Sequence, residues 1–325
     1  MTHALASLRR RSALGLMMGS ALAPRAFGQN AAPAADTLAL GRFHTDFVQA
    51  QAVPGRVLGE NNSQPGVEGT PLSYNAKGDK AVTVVFRYPA RWAMPKPHYV
   101  NSDQEFYILD GSVTFDDTTY GPGDYAYLPA GYQHKVMTSA AGCTMLNFYE
   151  GEHLAFYAET PAGMYISSKL IKKTETAKMA WAPLKDAASQ SLGANPHGKL
   201  LRTDTATGES TWLVKVDADA KPAGLARAVA THAAVEEFFV LEGEVASPRG
   251  VMKTGAYVWR APGQPRGPLG SKTGYTAIIR SKGGALNSIL SETPAAVVWA
   301  ANYAPHISDA ARGFAMKGYD QTRKY

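Results

Sequence analysis

The residues of this 325-residue chain best suited to chemistry fall into two sets of histidine, carboxylate and arginine. The first set is His98, Gln104, Glu105 and His134; the second is His232, Glu236 and Arg266. Imidazole and carboxylate are the side chains that hold divalent first-row metals. Two imidazoles and one carboxylate on a common face leave positions open for substrate and dioxygen, the arrangement of non-haem iron(II) sites. A strand can bring such groups together, because residues i and i+2 point to the same side.

The two sets belong to an internal repeat. QEFYILDGSV (104–113) aligns with EEFFVLEGEV (236–245) at an offset of 132 residues. At that same offset Gly123-x7-Gly131-x2-His134 aligns with Gly255-x7-Gly263-x2-Arg266. Strand-length runs surround both, among them AVTVVFRY (81–88), CTMLNFY (143–149), STWLVKV (210–216) and YTAIIRS (275–281). These are rich in β-branched and aromatic residues and are cut every 8–12 residues by turn formers, as in a sandwich or barrel. The fold class expected is therefore all-β.

The segments resemble the cupin family. Gly123-DYAYL-Pro129-Ala-Gly131-YQ-His134 is similar to its second motif, Gly-x5-Pro-x-Gly-x2-His. His98-Tyr-Val100-NSD-Gln104-Glu105-FYILD-Gly111 is similar to its first, which supplies a His-x-His pair and a Glu. The stretch GPGDYAYLPAGYQH…AAGCTML resembles ChrR-type cupin domains in particular. The resemblance implies a bicupin: two double-stranded β-helix (jelly-roll) barrels, each with a pocket inside. It also implies one divalent metal, Fe(II) first and Mn, Ni or Zn otherwise.

Measured against that pattern, both copies have lost ligands. In the first, Val100 replaces the second His and Gln104 aligns with the Glu, leaving His98, His134 and either Gln104 or Glu105 as the metal set. Alternation puts Glu105 on the face opposite Gln104 unless a bulge shifts the register. In the second copy Ala230 and Arg266 replace two histidines; His232, Glu236 and Arg266 are read as a vestigial, metal-free site. Tyr107, Tyr127 and Phe148, on the strands of the first copy, are the expected substrate contacts. Cys143, the single cysteine, reads as a small buried hydrophobe and excludes an intramolecular disulfide.

The ends carry different information. Residues 1–28 combine Arg9, Arg10 and Arg11 with a short, weakly apolar core and small residues at Ala26 and Gly28, which resembles a twin-arginine export signal. That core is too short to span a bilayer. The destination expected is the periplasm, with no membrane contact after cleavage. Cleavage would remove Arg9, Arg10, Arg11 and Arg25 and no acidic residue, lowering the formal charge from +6 to +2. The basic balance thus gives no support to a nucleic-acid partner. The expected organisation is signal 1–28, disordered spacer 29–39, barrel one 40–165, connector 166–194, barrel two 195–300 and tail 301–325.

Three functions compete. The first is a metal-dependent, Fe(II)-type oxygenase acting on a small organic substrate in barrel one. The second is a non-catalytic binding or sensory cupin that captures a small-molecule ligand in a decayed site. The third is a structural bicupin that pairs as a homodimer.

Overall fold

The computed structural model describes residues 38–60, 62–75, 78–307 and 323–325. The expected signal and most of the spacer lie outside them, as does most of the tail. All the described residues belong to one compact unit, built almost wholly of antiparallel strands.

Its centre is a pair of large sheets. The first runs Ile171–Glu175, Asp124–Leu128, Gln104–Gly111, Cys143–Tyr149, Val82–Tyr88, Glu68–Tyr74 and Arg56–Val57 in spatial order. The second runs Ala182–Pro183, Ala194–Thr203, Ser210–Asp217, Tyr275–Lys282, Val235–Ser247, Ala256–Arg260 and Thr45–Gln49. The central strands correspond at the 132-residue offset, so the duplication read from the sequence is a duplication of structure. Its punctuation repeats as well. Gly111 and Gly243 both have positive φ, and a Cβ at either would come within 2.3 Å or 2.1 Å of the carbonyl oxygen of Gly142 or Gly274, itself an equivalent pair. Only glycine tolerates both conditions.

Each copy gives its neighbour an edge strand. Thr45–Gln49 precedes copy one but pairs with Ala256–Arg260 of the second sheet. Ile171–Glu175 precedes copy two but pairs with Asp124–Leu128 of the first. Sheet pairing therefore cuts across the segments 40–165 and 166–194. The exchange covers an otherwise open edge on each sheet and ties the two copies together. The chain end adds to the tie: the Tyr325 hydroxyl donates to the carbonyl of Leu241 at 2.9 Å, and Arg87 donates to the Tyr325 carbonyl at 2.7 Å.

Both faces of the central strands are buried, which explains why their sequences are almost continuously apolar. Phe106 and Ile108 turn into barrel one, with Phe86, Phe115, Ala126 and Leu128. Phe238 and Val240 turn into barrel two, with Val214, Val258 and Ile279. The alternate residues, among them Leu109, Tyr125, Phe148, Phe239, Tyr257 and Ile278, form a third cluster. Residues of both copies meet there, so one sheet packs on the other.

Inside that layer lies a buried ionic group. Arg280, 2% exposed, donates from Nε to Glu105 Oε2 at 3.0 Å, from Nη1 to Glu237, and from Nη2 to Glu150 at 2.7 Å. Each of the two central carboxylates also accepts from a tyrosine of its own copy and a threonine of the other. For Glu105 these are Tyr125 and Thr211; for Glu237 they are Tyr257 and Thr83. Burial disfavours the Arg280 charge, but Glu105, Glu237 and Glu150 outweigh it and raise its pKa well above the ordinary value. At the position equivalent to Arg280 copy one has Phe148, and the guanidinium lies 4.1 Å from that ring's centroid.

Removing one member of such a group strands the others. Arg280→Met is expected to lower stability by about 3–5 kcal/mol, as measured by urea unfolding. Adding Glu105→Gln and Glu237→Gln to that variant should recover part of the loss. A loss under about 1 kcal/mol would show that the arginine does not hold the layer together.

Candidate functional site

In barrel one the two histidines are brought together by a short ladder. His98 opens the strand His98–Val100, and His134 ends Gln133–His134; the two pair directly across the register. The turn before His134 is held from below. Asp103 accepts the Ala130 N–H at 2.7 Å and the Tyr127 hydroxyl, and the Gly131 N–H reaches the Val100 carbonyl at 2.8 Å. This is the work of the Pro129-Ala-Gly131 segment that the sequence singles out.

The two imidazoles are fully buried and lie nearly parallel, with centroids 5.1 Å apart and planes 25° from each other. Phe115 and Tyr132 stand edge-on to His134 at 5.4 and 5.0 Å. His98 Nδ1 is 3.0 Å from the Lys96 carbonyl, which only accepts, so Nδ1 carries the proton and Nε2 presents a lone pair. His98 Nε2 and His134 Nδ1 are both buried without a hydrogen-bonding partner. Burial lowers the pKa of both rings, and the neighbouring His98 adds to the effect on His134, bringing it to about 3. Both are neutral at pH 7.

Among the described residues no carboxylate joins the pair in a group of three metal-binding side chains. Gln104 turns inward, 2% exposed, and its Nε2 donates to Asn147 Oδ1 at 2.7 Å. Glu105 turns the other way, and its carboxylate is taken up by Arg280, Tyr125 and Thr211 between the sheets. The register is regular here: Gln104 to Tyr107 pair in step with Leu128 to Tyr125, so no bulge turns Glu105 inward. Its expected role as a metal ligand is therefore corrected. The expected substrate contacts share its face. Phe148 lies under Arg280, Tyr127 lies under Arg202 at 4.2 Å with its hydroxyl on Asp103, and Tyr107 packs against the layer between the sheets. All three are corrected to that layer; the aromatics beside His134 are Phe115 and Tyr132.

Barrel two keeps the carboxylate and one histidine, His232, and has Ala230 and Arg266 at the other two histidine positions. Glu236, fully buried, accepts from Arg260 on one oxygen and from Arg266 on the other. Burial alone would raise its pKa, but Arg266 and Arg260 overcome that and hold it at about 2. His232 Nε2 lies 3.6 Å from Glu236, and its Nδ1 is 2.9 Å from the Ser288 hydroxyl. Arg266 also donates to Ser191 at 2.6 Å and to the Ala188 carbonyl at 3.2 Å. Arginine thus stands where a metal corner would be. Sequence reasoning missed Asn147, Arg260 and Arg280. Carrying the 132-residue offset to residue 280 would have found the last, as the arginine replacing Phe148.

Among the described residues no group of three or more His, Cys, Asp or Glu side chains is placed to hold a metal ion. No helix among them is long and apolar enough to cross a membrane.

Comparison with known proteins agrees with this architecture. The chain belongs to the ChrR cupin-like family, whose domain matches residues 50–151 and again 172–285. No curated protein matches it in sequence. Among solved structures it is similar to a "putative dioxygenase" from Nostoc punctiforme, at 14% identity and a TM-score of 0.67 over 77% of this chain and 87% of that one. It also matches a deletion mutant of Bacillus subtilis oxalate decarboxylase, at 11% identity and a TM-score of 0.48 over 75% and 79%. The protein is a bicupin: two jelly-roll barrels in one all-β chain.

The buried histidines have a consequence for stability. His134 has a pKa of about 3 in the folded protein against 6.5 when exposed. As pH falls through 6.5 the unfolded chain takes up a proton that the folded one refuses. The stability is therefore complete above pH 6.5 and is lost progressively as pH falls toward about 3. The slope is about 1.4 kcal/mol per pH unit for one such group. His134→Phe should flatten the decline between pH 6 and 4 by about 1 kcal/mol per unit, measured by urea unfolding across pH. An unchanged slope would mean that His134 is protonated in the folded state.

Proposed function

We propose that this protein is a small-molecule-binding cupin in which neither barrel assembles a carboxylate-completed metal centre. The observation that carries this reading is the fate of the two carboxylates. Glu105 is bound by Arg280 between the sheets, and Glu236 by Arg260 and Arg266 within barrel two. Two neutral imidazoles and the Gln104 amide would leave a buried divalent ion with its full +2 charge uncompensated. Burying unpaired charge is strongly unfavourable.

A second reading is favoured by one feature. The proton on His98 Nδ1 leaves a lone pair on Nε2, and that atom and His134 Nδ1 lack partners. If Fe(II), or Mn, Ni or Zn in its place, is held by His98, His134 and Gln104, barrel one is an oxygenase for a small organic substrate. The metal would supply dioxygen activation. The chain's own residues would then orient the substrate and, through Phe115 and Tyr132, exclude water from the histidines.

Anaerobic loading with Fe(II), Mn(II), Ni(II) or Zn(II), followed by desalting and elemental analysis, separates the two. Clearly substoichiometric metal is the expected result. About one metal per chain, lost in the His98→Ala/His134→Ala double variant, would overturn the binding reading and restore the oxygenase.

The periplasmic destination is proposed from residues 1–28 alone. Replacing Arg9, Arg10 and Arg11 with Lys should leave the protein in the cytoplasmic fraction, whereas export of that variant would exclude the twin-arginine route.

A further inference from the structure

We infer that the interior of barrel two is a binding site for a small, uncharged, mostly apolar molecule bearing one carbonyl-type oxygen. The inference rests on the binding reading above and assigns it a pocket and a ligand class.

A cavity of about 250 Å³ opens there, with a largely apolar wall that includes Leu192, Trp212, Val214 and Ile279; Arg266 and His232 also line it. Such a mixture, an apolar wall with a few converging polar groups, is what small-ligand pockets present. Both polar residues are at most 5% exposed, yet each keeps one nitrogen without a hydrogen-bonding partner: Arg266 Nε and His232 Nε2. An unsatisfied buried donor is costly, so an acceptor atom placed there is rewarded. Arg266 Nε always carries a proton. Glu236, which only accepts, lies 3.6 Å from His232 Nε2 and favours the proton there, and the Ser288 hydroxyl, 2.9 Å from Nδ1, can donate to that nitrogen. Arg266 Nε is thus a donor awaiting an acceptor at the cavity wall, with the His232 ring beside it.

The charges decide which acceptor. Arg260 and Arg266 are matched by Glu236 and by Asp46, which lies 3.3 Å from Arg260 Nη2. His232 is neutral, and Asp186 adds a negative charge at the cavity wall. With no net positive charge to neutralise, a carboxylate ligand would bring an uncompensated charge into a buried site. A ketone or similar carbonyl satisfies the Arg266 donor without one.

Titration calorimetry of the full chain with acetophenone, ethylbenzene and benzoate tests this. Acetophenone is expected to bind at least about tenfold more tightly than ethylbenzene, the value of one hydrogen bond to a charged group, and more tightly than benzoate. Leu286→Trp, on the cavity wall and away from the ionic cluster, should abolish acetophenone binding with little change in melting temperature. Arg266→Met should bring acetophenone to the level of ethylbenzene. Absence of acetophenone binding, parity with ethylbenzene, or indifference to Leu286→Trp would overturn the assignment. Tightest binding by benzoate would overturn it in favour of an anion site. Metal retention is read at His98 and His134, so failure here and failure of the metal-free reading are distinguished.

Discussion

The Arg280 guanidinium, shared between Glu105 and Glu237, is the contact on which the rest of the molecule depends. It sits where two sheets from two copies of one sequence meet, and it holds the central strand of copy one against that of copy two. A buried arginine among carboxylates is not an efficient source of stability, because desolvation offsets much of the attraction. It is a source of specificity, since sliding one sheet over the other would take Glu105 and Glu150 of copy one away from the guanidinium, while Glu237, on the neighbouring strand of the same sheet, would keep it. The apolar cluster around it supplies burial, and the ionic group supplies register. Because Glu105 and Gln104 are neighbours on one strand, fixing Glu105 in this layer also fixes Gln104 inside barrel one.

That coupling explains how the two barrels diverged. Copy one kept two of the histidines and replaced the inward carboxylate by an amide, which now pairs with Asn147. Copy two kept the inward carboxylate and replaced two histidines by Ala230 and Arg266. Each loss is matched by a local partner: amide with amide in one barrel, carboxylate with guanidinium in the other. Among the described residues, neither interior sets a pair of unengaged imidazole nitrogens beside an unpaired carboxylate.

The architecture was legible in the sequence because duplication leaves a signal at many positions at once. The glycines at 111 and 243, the Gly-x7-Gly spacing and the paired apolar strands all repeat at one offset, and the structure repeats with them. The exchanged edge strands were not legible. Thr45–Gln49 and Ile171–Glu175 carry no pattern that names their partners, and such pairings are set by three-dimensional proximity. The site was half legible. The alternation rule correctly separated Gln104 from Glu105, and the same parity assigns Tyr107 and Tyr127 to the face of Glu105. That inference needed one further fact, that the outer face of the sheet is also buried. A strand apolar on both sides does not say which side encloses the pocket.

The exchange of histidine for arginine at position 266 has a chemical direction. An imidazole offers a lone pair and invites a cation; a guanidinium offers only donors and excludes one. With two arginines beside it, Glu236 stays ionised at about pH 2 and above, and burial together with the arginines keeps His232 neutral down to about pH 4. The cluster therefore keeps the same charge through the physiological range and presents the Arg266 donor to whatever enters. Barrel one presents the opposite: buried, stacked imidazoles with an unshared lone pair, beside the Gln104–Asn147 amide pair. One duplicated scaffold has thus produced one interior with free imidazole nitrogens and another in which a carboxylate is held by two arginines.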